Sequence, residues 1–291
     1  MDCRTCRLVV IACALAACAG CGPHVKAWTA TEVALVGEMN VCECVAIEPA
    51  GGAAYVSNMQ TTGRAYWSDD GKGFISLLRP GGDPAAIRWR ESTPEMPLNE
   101  PKGMCILGGV LYVADNTRVV GFPVFDDIFP KPLVGPKGVR LNDMVSDGRA
   151  AYVSDTGAGV VYRMAADGVS RIKAPPGVNG ITFSRGRMFA VSWDLHEVYE
   201  LDPTGKGDPV PFGLAGHFVA LDGIEVLVDG TILVSDLPGN RVAAISPDRK
   251  TVRTLIAITT PADIGFDPDR NLLYVPQLEQ NKVAVFKLEE K

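Results

Sequence analysis

The stretch NDMVSDGRAAYVSD, Asn142–Asp155, decides the fold. A short run, an Asp-Gly turn and a second run ending in YVSD read as two antiparallel strands joined by a tight turn. Working outward, the same unit recurs as ECVAIEPAGGAAYVSN (Glu43–Asn58), KGMCILGGVLYVADN (Lys102–Asn116), NGITFSRGRMFAVSWD (Asn179–Asp194), DGIEVLVDGTILVSD (Asp222–Asp236) and ADIGFDPDRNLLYVP (Ala262–Pro276). Each is followed by a third strand-like run: GFISLL, TRVVGF, GVVYRM, HEVYEL, NRVAAI and KVAVFKL. Units of three strands spaced by about 40 residues, with no helical periodicity, predict an all-β chain folded as a six-bladed β-propeller. A lone blade buries neither face, whereas a ring of blades buries both.

The closure of the ring is also legible. The last unit ends after its third strand, while TEVALVGEM (Thr31–Met39) precedes the first unit with nothing to pair with. An N-terminal strand completing the last blade removes an open sheet edge.

The segment before the propeller reads as a leader. Arg4 and Arg7 precede the apolar run LVVIACALAAC, which has the length of a signal h-region. Residues 1–21 are therefore expected to be a signal peptide, with 22–291 forming one propeller domain. LAAC, ending at Cys18, resembles a bacterial lipobox, which implies lipidation of Cys18 and an exported, envelope-anchored lipoprotein; CAGC, ending at Cys21, is the second processing candidate, and plain secretion is the alternative. Of the eight cysteines, Cys42, Cys44 and Cys105 lie in the propeller. Three is no disulfide framework, although a Cys44–Cys105 or Cys42–Cys105 bridge is open to such a compartment.

At 47% hydrophobic and 21% charged, with a formal net charge of -6 and no Lys/Arg-rich run, the chain is globular and offers nothing to a nucleic-acid backbone. A membrane partner is expected only through the lipid anchor, and the propeller is expected to be a monomer.

Blade geometry places the functional candidates. If each first strand lines the channel, the six first-strand starts and the loops joining second to third strands share one mouth. The starts are Glu43, Lys102, Asn142, Asn179, Asp222 and Ala262, with Asp263 beside the last. Glu43, Asn142, Asn179 and Asp222 offer oxygen donors suited to a hard divalent cation: Ca²⁺ first, then Mg²⁺ or Mn²⁺, with Zn²⁺ disfavoured because no His or Cys occupies a start. Taken singly, each such residue at a strand start serves a turn; four in one register point to a metal. The loop Met59–Gly73 brings Trp67 to the mouth, and SWDLHEV brings Trp193, Asp194 and His196 to the same face. His196 brings an imidazole, a side chain able to serve as a general base, to that face.

The motifs CECVAIEP, RLND, VNGITF and LDGIEV, in that order, resemble those of the senescence-marker-protein/gluconolactonase, or regucalcin-like, family of six-bladed propellers. The resemblance covers the whole chain after the leader. It implies that the family's four metal ligands fall on Glu43, Asn142, Asn179 and Asp222, and that Arg140 contacts substrate. It implies metal-assisted hydrolysis of a lactone or related ester, with Asp222, then Glu43, orienting or deprotonating water; Lys102, Trp67 and His196 would meet a small-molecule substrate. The chain departs from the family by carrying Ala46 and Ile47 in place of an aromatic, cysteines on both sides of Glu43, and a lysine at position 102. The alternative is a non-catalytic binding platform whose ring holds a structural ion.

Overall fold

The computed structural model describes residues 27–60, 66–125, 133 and 135–291; the expected signal peptide, Cys18 and part of the Met59–Gly73 loop lie outside them. The six sheets are antiparallel throughout and arranged as blades. After an N-terminal strand, blade 1 comprises β2 (Cys42–Ile47), β3 (Ala54–Asn58), β4 (Phe74–Leu78) and β5 (Pro84–Glu91). Blade 2 is β6 (Pro101–Leu107), β7 (Val110–Asp115) and β8 (Arg118–Pro123), and blade 3 is β9 (Leu141–Ser146), β10 (Ala151–Asp155), β11 (Val160–Ala165) and β12 (Gly168–Lys173). Blade 4 is β13 (Val178–Ser184), β14 (Arg187–Ser192), β15 (Glu197–Leu201) and β16 (Val210–Pro211), and blade 5 is β17 (Leu221–Val226), β18 (Ile232–Asp236), β19 (Arg241–Ile245) and β20 (Val252–Ala257). Blade 6 is β21 (Gly265–Asp267), β22 (Leu272–Gln277) and β23 (Lys282–Glu290), completed by β1 (Trp28–Val36).

The ring closes as the sequence predicts. β1 pairs antiparallel with β23 from Trp28↔Glu290 to Val36↔Val283, so the first and last strands share one blade. The closing strand begins three residues earlier than expected, because Trp28 itself is buried and its indole Nε1 donates to Asp229 at 3.0 Å.

There is no single core. Six apolar clusters each fill one interface between neighbouring blades: Val113 and Phe122 meet Tyr55 and Ile75 between blades 1 and 2, and Val45 and Val56 meet Tyr274 and Val285 between blades 1 and 6. The Tyr-Val pairs of the second strands alternate between the two neighbouring interfaces, which is why they mark the repeat so clearly.

A fourth, outer strand in blades 1, 3, 4 and 5 is absent from the three-strand reading. These strands carry little apolar alternation because both faces meet solvent, as in β12, where only Ile172 is buried. Cys42, Cys44 and Cys105 are free, buried thiols rather than disulfide partners.

Candidate functional site

The site is made by a repeated slip in strand register. In blade 1 Cys42 pairs with Asn58 and Val45 with Val56, leaving Glu43 and Cys44 outside the ladder. The same slip releases Lys102 and Gly103, Asn142 and Asp143, Asn179 and Gly180, and Asp222 and Gly223. Such bulges turn two successive residues toward the channel instead of one.

The freed backbone is satisfied by the second strand. Ser57, Ser154 and Ser235 accept hydrogen bonds from the amides of Cys44, Asp143 and Gly223 at 2.9, 2.9 and 2.7 Å. Glycine fills the second bulge position where inner strands nearly touch: a Cβ on Gly103 would lie 2.3 Å from Asp143 Cα, and one on Gly180 2.3 Å from the Asp222 carbonyl oxygen.

The first bulge residues form the mouth ring. Glu43, Lys102, Asn142, Asn179 and Asp222 are all buried, between 3% and 7% exposed. Asn179 Nδ2 donates to Asp222 Oδ1 at 2.6 Å. Asn142 Nδ2 donates to Thr156 Oγ1 at 3.3 Å, and that hydroxyl donates to the Val178 carbonyl at 2.7 Å. The amide of Asn142 is thereby oriented, yet its Oδ1, like Glu43 Oε2, is buried without a hydrogen-bond partner. Burial, reinforced by the charge of Asp222 and opposed by Lys102, holds the Glu43 carboxyl well above the usual range. Burial likewise raises Asp222 to about 7, against the hydrogen bond from Asn179. One carboxylate oxygen and one amide oxygen short of donors, beside the second carboxyl of Asp222, form a set that fits a hard cation.

Lys102 is not at the disposal of a ligand in the way its sequence position suggests. Its ammonium donates to the carbonyls of Tyr66 at 2.6 Å and Glu100 at 3.2 Å, lies 3.3 Å from Met59 Sδ, and is covered by the Trp67 ring at 4.3 Å. Burial lowers its pKa to about 8, with Glu43 the strongest opposing influence. Trp67 also faces Arg140, whose guanidinium carbon is 5.7 Å from the ring centroid and whose side chain is exposed at the rim. His196 is exposed in the β14–β15 turn with φ of 57°, while Trp193 is half-buried.

Beneath the ring lies a layer that sequence reasoning left largely unassigned. Ligand atoms of Cys44, Asp143 and Asp263 lie within 4.8 Å of one another, all buried. Asp143 accepts from the amides of Met144 at 2.5 Å and Ile181 at 2.6 Å, tying blade 3 to blade 4. Asp263 bridges blades 6 and 1, its amide donating to the Glu43 carbonyl at 2.8 Å. Burial raises Asp143 to about 6 and, with the charge of Asp143, Asp263 well above its usual range. A cavity of about 190 Å³, lined also by Cys105, Thr182, Glu225 and Ser146, reaches this trio from the opposite end of the inner strands. Burial and the charge of Asp143 raise Glu225 to about 8. A thiol with two carboxylates is a softer donor set than the mouth ring and better suited to Zn²⁺ than to Ca²⁺. The advance signals were two consecutive polar residues in RLND, where a regular strand would turn one of them away from the channel, with Asp263 beside the last strand start and Cys44 beside Glu43.

No family model matches the chain, and no curated protein does. Its backbone does resemble solved structures. A virginiamycin B lyase from Staphylococcus aureus, solved as a catalytically inactive variant with quinupristin, aligns over 90% of this chain and 99% of its own at 13% identity and a TM-score of 0.60. A luciferin-regenerating enzyme aligns over 90% and 95% at 15% identity, TM-score 0.63. A gluconolactonase from Xanthomonas campestris aligns over 88% and 89% at 14% identity, TM-score 0.63. At these identities the likeness establishes the propeller fold.

Proposed function

We propose that the protein is a divalent-metal-dependent hydrolase acting on a lactone or related ester at the channel mouth. The observation that carries this reading is the pair of orphaned oxygens, Glu43 Oε2 and Asn142 Oδ1, in a buried ring completed by Asn179 and Asp222. A protein gains nothing in stability by burying them unpaired, so they are best understood as donors to a cation. Glu43, Asn142, Asn179 and Asp222 would hold it, with Ca²⁺ favoured by the all-oxygen set. When bound, such an ion polarises an ester carbonyl and stabilises the charge that develops on its oxygen.

The chain's own residues supply the rest. Asp222 is the first candidate to orient or take a proton from an attacking water, because a carboxylate in the ring can reach both the ion and the nucleophile, and Glu43 is the second. Trp67 and Arg140 form one wall of the mouth, offering an aromatic face and a guanidinium to substrate oxygens.

The test is a chelated preparation assayed on a panel of lactones and esters with Ca²⁺, Mg²⁺, Mn²⁺ or Zn²⁺, beside Asp222→Asn. Metal-dependent turnover lost in D222N, with the fold unchanged, supports the hydrolase. A product without the added mass of water indicates elimination instead. Thermal stabilisation by metal without turnover of any substrate favours a binding platform with a structural ion, and the absence of both stabilisation and turnover overturns the metal reading.

A further inference from the structure

Lys102 fills the blade 2 position of a ring whose other members here are oxygen donors. It is only 3% exposed. Its ammonium is engaged by the Tyr66 and Glu100 carbonyls, the Met59 sulfur and the Trp67 face, none of which carries a negative charge. Glu43, Glu100, Asp115 and Asp222 all act on it electrostatically, Glu43 most strongly, yet Glu43 Oε2 remains without a hydrogen-bond partner. The lysine is therefore withheld from the carboxylate nearest in charge. It stands as a fixed positive charge beside the donor set, not as one half of a salt bridge.

We propose that Lys102 is a built-in counter-charge that weakens the ring's hold on a divalent cation and so sets its affinity. The proposal rests on the metal reading of the mouth ring. With Glu43 and Asp222 ionised, the lysine halves the ring's net negative charge. In a site closed to solvent, that repulsion acts across a low local dielectric and is little screened by salt. A cation held by Glu43, Asn142, Asn179 and Asp222 would then exchange more readily than in a ring without the lysine.

The test measures binding, not turnover. Lys102→Met keeps the apolar stem against Met59 and Trp67 without the charge, Lys102→Gln keeps an N–H donor for the carbonyls, and Lys102→Arg keeps the charge. Calorimetric titration of chelated protein with CaCl₂ and MnCl₂ is expected to give Met and Gln variants at least about tenfold tighter binding than wild type, about 1.4 kcal/mol, with the Arg variant within a few-fold of wild type. Uptake only by the neutral variants also supports the proposal. Unchanged or weaker binding by whichever neutral variant folds, with wild type binding normally, overturns it and leaves the metal reading intact. If wild type and every folded variant fail to bind, the metal reading falls and this proposal with it.

Discussion

At the scale of single residues, stability and ligand binding pull in opposite directions. Glu43 is buried with one oxygen unpaired and its charge opposed by Asp222, so the metal-free protein carries it at a cost. Glu43→Gln is therefore expected to raise the melting temperature in chelator while removing divalent stabilisation; a drop in both would show that Glu43 is structural. Asp143 predicts the reverse. Both of its oxygens accept backbone amides, one from Met144 and one across the blade boundary from Ile181. In Asp143→Asn, one acceptor becomes an NH₂ group facing an N–H donor, which should cost about 1–3 kcal/mol in denaturant unfolding whether or not metal is present. The two side chains sit in adjacent layers, and only the hydrogen-bond count distinguishes a donor awaiting a cation from a staple between strands.

At the scale of elements, the slipped strand is the device that makes a mouth. A regular strand presents alternate residues to the channel, but the slip in β9 and β17 presents two in succession and needs a hydroxyl from the second strand to satisfy the amide left over. Ser235→Ala should cost about 1–3 kcal/mol by leaving the buried Gly223 amide unpaired, and chemical denaturation would reveal it; a neutral effect would mean the bulge relaxes. Gly180→Ala should be worse, since its Cβ meets backbone rather than a flexible side chain. These relations explain what the sequence made legible. The six two-strand units, four of them marked by a Tyr-Val pair, exposed the blades because each packs against a neighbour, and the unpaired Thr31–Met39 run exposed the closure. The outer strands stayed hidden because solvent on both faces leaves them little apolar pattern. Cys44 and Asp263 were legible as neighbours of the mouth residues, but their meeting with Asp143 was not, because period-two reading sends one residue of each bulge pair away from the channel, and the capture of Lys102 beneath Trp67 joins a loop of blade 1 to a strand of blade 2, which no local pattern encodes.

At the scale of the whole molecule, the ring's six apolar interfaces enclose an axis dense in acids, and this gives a pH dependence of definite sign. Asp143, Asp222 and Glu225 are raised to about 6, 7 and 8, and Glu43 and Asp263 lie well above their usual values. A carboxyl raised in the folded state binds protons there that the unfolded chain has already released. Its contribution is full below about pH 4, where unfolded carboxyls titrate, and is lost as pH rises through the folded values. Lys102, lowered to about 8, is protonated in both states through most of that window, so its cost is nearly constant there. Chelated protein should consequently melt lower at pH 8 than at pH 5. On the metal reading a divalent cation should reverse the trend, because ionised Glu43 and Asp222 would become ligands only as their protons leave. The stabilisation by added Ca²⁺ should therefore grow from pH 5 to pH 8 as the metal-free protein weakens. Melting curves across that range, with and without Ca²⁺, test both halves: a Ca²⁺ shift largest at pH 5, or metal-free stability that rises toward pH 8, would sink the account of an acid-lined axis awaiting a cation.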